Sequence, residues 1–180
     1  MAGPTLVIEF AEPVSLAALS EFSALMRGLS THFEQRRDGY FDVNVPVERL
    51  GVEAAHEADG RRPFLVYLME PGVGDESIFE AEHADEPAVE AVLGFKPTHA
   101  VNVSAVCNRG IDHVATALLT AAVLDVLGGV VKTELSEGQD AVVAGLPGVL
   151  GFTDEEYPMV LGTAEFLRAW VAQPGFRLVK

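Results

Sequence analysis

The chain reads as a single α+β domain spanning residues 1–180, with two βαββ-like units, a sheet of antiparallel or mixed strands, two main packing helices, and a C-terminal helix and strand. Three observations predict this. Short runs rich in Val, Ile and Phe alternate at the two-residue period of strands, and two longer stretches repeat their apolar residues at helical spacing. Asp-Gly, Gly-Gly and Pro-Gly pairs punctuate them at the expected turns. With 49% hydrophobic residues over 180 positions, the chain buries about 70% of the surface its unfolded form exposes. That core requires neither a disulfide nor a structural metal.

The first unit covers residues 5–45. Thr5–Phe10 is a strand, Ser15 an N-cap, and Leu16, Leu19, Phe22, Met26 and Leu29 line one helix face. His32–Arg37 and Tyr40–Val45 then pair across Asp38-Gly39, whose residues tolerate the positive φ of a tight hairpin. Residues 46–93 form an acidic connector: a polar stretch, Pro46–Gly60; an apolar strand-like run, Pro63–Met69; and a short helix, Pro87–Leu93, closed by Gly94. The second unit, 98–144, repeats the order. It has a strand at Thr98–Cys107, a helix capped by Asp112 and ended by Gly128-Gly129, and strands at Val130–Leu135 and Ala141–Ala144. A Gly- and Pro-rich segment, Gly145–Gly162, follows. Residues 163–180 supply a helix carrying Phe166, Leu167, Trp170 and Val171, and a last strand, Phe176–Val179, docked on the core.

Charge removes several classes of function. The formal charge of −15 opposes direct nucleic-acid binding, which needs cations to displace phosphate counterions, and it would repel anionic lipid. The most apolar window, Val114–Val131, is interrupted by Asp125 and Gly128-Gly129, so it reads as a buried helix and strand, not a membrane span. The lone Cys107 has no internal disulfide partner, and the first residues lack the basic and apolar regions of a secretory signal, so a cytoplasmic setting is expected.

Familiar catalytic motifs are missing: there is no GxGxxG, GxxxxGK[ST] or GxSxG. His32, His56, His83, His99 and His113 form no HxH, HxxxH or HExxH pair. Neither metal nor cofactor is expected. Cys107, Asp112 and His113 form one candidate small-molecule or enzymatic site where a strand meets a helix, since a helix N-terminus stabilises a thiolate and histidine is a base. The competing reading makes Cys107 a core residue and Asp112 an ordinary cap.

The most informative feature is an interval without Lys or Arg, between Arg62 and Lys96. It holds Glu70, Asp75, Glu76, Glu80, Glu82, Asp85, Glu86 and Glu90, interleaved with Val73, Ile78 and Phe79. A second basic-free interval, Thr133–Leu167, holds Glu134, Glu137, Asp140, Asp154, Glu155, Glu156 and Glu165, with Tyr157 among them. Aromatic anchors ringed by charge suit a protein-binding patch, and a solvated face is the simpler alternative. The expected recognition residues are Asp75, Glu76, Phe79, Glu80, Glu82, Asp85, Glu86 and Glu90, with no catalytic residue.

At GFKPTHAVNVSAVCN (Gly94–Asn108), at Asp112-His113 with Gly128-Gly129, and at FLRAWVAQPGFRLVK (Phe166–Lys180), the chain resembles a family of small bacterial proteins similar to the immunity proteins encoded beside polymorphic toxins. The likeness covers roughly the C-terminal half, and its motifs are structural. It implies a non-enzymatic inhibitor that binds a cognate toxin with a basic surface. Two alternatives stand beside it: the Cys107–His113 site in a cleft between the units, and an assembly subunit exposing the Phe166, Leu167, Trp170 and Val171 face for self-association.

Overall fold

A computed structural model of the chain describes residues 3–53, 60–69, 71–72, 74–83 and 86–179. The strands are β1 (Thr5–Phe10), β2 (His32–Arg37), β3 (Tyr40–Pro46), β4 (Arg61–Met69), β5 (His99–Ala105), β6 (Val130–Glu134), β7 (Val149–Phe152) and β8 (Met159–Gly162). The helices are α1 (Leu16–Leu29), α2 (Glu76–Glu82), α3 (Pro87–Leu93), α4 (Gly110–Leu127), α5 (Asp140–Val143) and α6 (Ala164–Val171).

All strands join one antiparallel sheet in the order β2-β3-β4-β5-β1-β6-β8-β7. Both βαββ beginnings therefore share one sheet, but they are not related by symmetry. α1 carries the chain from central β1 to the far edge strand β2, whereas α4 carries it from β5 across a single strand to β6.

Period-two alternation gives the sheet two different faces. Leu6, Ile8 and Phe10 of β1 join Val101 and Val103 of β5 in the main core beneath α1 and α4. α4 lies between α1 and α6 in the same layer. It is long and apolar enough to cross a membrane, but Ala115, Leu119, Thr120 and Val123 are buried in this core, as the reading of a buried helix required. The opposite face carries α2 and α3 and a small cluster of Met69, Phe79 and Ala100.

Local chemistry explains the helix ends. Ser15 caps α1 by accepting the Ala18 N–H at 3.2 Å. Asp112 caps α4 from inside its first turn, accepting the Arg109 N–H at 2.6 Å. Gly128 ends α4 with φ 72°.

Several elements differ from the sequence reading, the added helix α2 among them. Ala141–Ala144 is not a strand: Asp140–Val143 forms the single turn α5, which buries Val143 and leaves Val142 exposed. The glycine-rich segment instead supplies β7 and β8. Its glycines admit close packing: a Cβ at Gly162 would stand 2.5 Å from the Phe166 ring, and one at Gly151 would stand 2.7 Å from Val92 of α3. Finally, Phe176–Val179 forms no strand, though it is docked. Leu178 is buried in the core and its N–H donates to His113 Nδ1 at 3.2 Å.

Candidate functional site

The face of β1 opposite the main core carries Thr5, Val7 and Glu9. The same face of β6 carries Lys132, beside Val7 in register. The chain leaving α2 places His83 over this surface, and Glu86 opens α3 beside it. Thr5, Val7, His83, Glu86 and Lys132 border a cleft of about 240 Å³, whose rim includes Glu82, Glu134 and Met159; Glu9 lies buried beside Lys132.

Glu9 is fully buried, while His83 and Lys132 retain only 2% and 6% exposure. Lys132 Nζ lies 2.7 Å from Glu9 Oε1 and also contacts Glu86. His83 Nδ1 lies 3.2 Å from Glu9 Oε1, and its Nε2 lies 3.8 Å from Glu82. The contacts to Glu9 are close enough for strong attraction but are not aligned as hydrogen bonds. Both Glu9 oxygens and both His83 nitrogens thus lack an aligned partner. Such groups are rare in a protein interior, because desolvation without a hydrogen bond costs about 1–3 kcal/mol.

Farther along this face, Tyr67 of β4 accepts a hydrogen bond from the Asn102 amide at 3.1 Å. Burial pushes the phenol pKa above its ordinary value; the Asn102 bond opposes the shift, and the charges of Glu82 and Asp75 add to it.

The expected recognition residues meet different fates. Glu80 and Glu82 are exposed. Asp75 accepts from Arg37 Nη2 at 2.5 Å, and Glu76 accepts the Gly72 N–H. Glu86 pairs with Lys132, while Glu90 is half-buried. Phe79 is no surface anchor: it packs under α2 at 8% exposure against Met69 and Ala100. Glu70, Val73 and Asp85 lie outside the described residues. The fold brings Glu82 and Glu86 from one basic-free interval beside Glu134 from the other. Tyr157, 75% exposed, sits in the loop that leads into Met159.

The Cys107 candidate dissolves into structural roles. Asp112 is fully buried, pairs with Arg62 at 2.5 Å and caps α4. His113 is spent on the tail. Cys107 is half-buried after β5. The proposed self-association face is internal, since Phe166, Leu167 and Trp170 are at most 1% exposed and Trp170 packs edge-on against Phe176.

Sequence reasoning missed Glu9 and Lys132. Their signal was present: Glu9 is a charge inside a strand of alternating apolar residues, and Lys132 is the sole Lys or Arg between Arg109 and Arg168.

Fold and site together define an α+β protein with one antiparallel sheet and an acidic, lysine-centred cleft on its thinner face. The chain belongs to DUF6368, a family of unknown function whose model matches residues 2–180. No curated protein and no solved structure matches it.

Proposed function

We propose that this protein is a non-enzymatic, immunity-type inhibitor that binds a cognate toxin domain through the acidic rim of the cleft. The convergence of two acidic intervals, far apart in sequence, on one rim of Glu82, Glu86 and Glu134 is the observation that supports it. Such a rim focuses negative potential and speeds encounter with a basic surface. Glu86 is partly neutralised by Lys132, so the exposed recognition charge resides mainly on Glu80, Glu82, Glu134 and the Asp154–Glu156 loop. The exposed Tyr157 supplies an amphipathic contact of the kind enriched at interfaces.

The partner this reading requires is a protein domain with a basic cleft, of the sort that handles nucleic acid. Contact occurs in whichever compartment both proteins share, and a cytoplasmic encounter is the simplest. The test is co-purification with the toxin domain encoded beside this chain, at low and high salt, with toxin activity measured alongside. Stoichiometric capture, loss of toxin activity and weakening at high salt are expected. A toxin fully active in the presence of excess protein would refute the proposal.

A further inference from the structure

Beneath that rim lies a cluster whose chemistry goes beyond protein recognition. Glu9, His83 and Glu86 come from β1, the end of α2 and the start of α3, and each can bring a ligand atom within 4.8 Å of the other two. Glu9 and His83 are each more than nine-tenths buried, and four of their polar atoms lack an aligned hydrogen bond. Hydrogen bonding does not account for these atoms, whereas a metal ion would take them as ligands in its own geometry. The ammonium of Lys132, at 2.7 Å from Glu9 Oε1 and in contact with Glu86, marks where positive charge is stabilised.

We propose that Glu9, His83 and Glu86 bind a divalent first-row transition metal ion, with the Lys132 ammonium and the ion competing for the same carboxylates. One imidazole and two carboxylates suit Mn2+, Fe2+, Co2+ or Zn2+. All-oxygen sites favour Mg2+ and Ca2+, and Cu+ favours thiolates. Ligand bonds of about 2.0–2.2 Å imply ligand atoms roughly 3.3 Å apart in a tetrahedron, so the cluster must close by about an ångström. Glu86 can supply that movement, because its side chain is 25% exposed at the first residue before α3. Three protein ligands beside an open cleft leave a coordination position for water or a ligand group, the pattern of reactive and not of purely structural zinc sites. The ligands come from three separated segments, and for that reason no HxxxH-type spacing announces them. The site shares Glu86 with the partner-binding rim, whereas His83 and Lys132 carry no charge that the rim reading uses, so variants at those two positions separate the readings.

The test uses the full-length protein with Zn2+ and Co2+ as probes. Calorimetry on metal-stripped protein is expected to give one ion per chain. 15N NMR is expected to show the His83 ring shifting on Zn2+ addition, and Co2+ to develop visible absorption. Glu86→Gln, at a partly exposed position where folding is secure, weakens binding about tenfold or more. Lys132→Met tightens it by removing the competing cation. No one-to-one binding in either the parent protein or Lys132→Met overturns the proposal. So does binding that survives both Glu86→Gln and His83→Ala, which would assign the ion to other histidines. Association with the toxin domain, measured in His83→Ala and Lys132→Met, which leave the rim carboxylates in place, separates failure of this site from failure of the acidic rim.

Discussion

Asp112 illustrates how a residue that looks catalytic in sequence is structural in three dimensions. Its carboxylate serves Arg62 and the first turn of α4 with no exposure to solvent. Removing one partner of such a pair leaves a buried charge uncompensated. Asp112→Ala should therefore destabilise the fold by about 3–5 kcal/mol in chemical denaturation, while Cys107→Ser should change stability by less than about 1 kcal/mol. Equal effects would contradict the division of roles. Tyr67 gives a pH prediction. Its folded pKa is raised by burial, so the neutral phenol's contribution to stability is complete below the unfolded value of about 10. That contribution is lost as pH rises through the folded value. In an ultraviolet titration the latest-ionising phenol should disappear in Tyr67→Phe.

Among elements, those with strong periodicity were legible and those shaped by tertiary contact were not. The β1–α1–β2–β3 order and the α4 stop at Gly128 follow from alternation, capping and positive φ. β7 and β8 were hidden because glycine ordinarily signals a turn, whereas Gly151 and Gly162 here admit Val92 and Phe166 against the sheet. α5 was misread because AVVA has no intrinsic period; only the burial of Val143 decides it. Gly129 joins both lessons. Its φ is 86°, and a Cβ there would stand 2.8 Å from the Glu9 carbonyl and the Ile8 side chain. Gly129→Ala should cost about 1–3 kcal/mol, read as a lowered unfolding midpoint. A neutral outcome would mean the α4–β6 turn relaxes freely.

For the molecule as a whole, the sheet separates the main core from the proposed recognition surface. One face buries the main core under α1, α4 and α6; among the described residues the other carries the short helices α2 and α3 and the Glu9, Lys132 and Glu86 group. The acidic intervals were legible as composition, yet their convergence was not, because it depends on β6 lying between β1 and β8 in the strand order. The buried Glu9–Lys132 pair escaped notice for a related reason: these are single charges within apolar strands, and only the pairing of β1 with β6 makes them neighbours.

The central proposal is that the acidic rim is a recognition surface, and the most direct measurement is the association rate with the proposed partner, a toxin domain encoded beside this chain, as ionic strength rises. The account predicts a rate that falls steeply with salt. It further predicts that Glu80→Lys, Glu82→Lys and Glu134→Lys together slow association by roughly tenfold or more at low salt, with the unfolding midpoint nearly unchanged. A rate insensitive both to salt and to this triple reversal would contradict it and leave the rim a solvated surface.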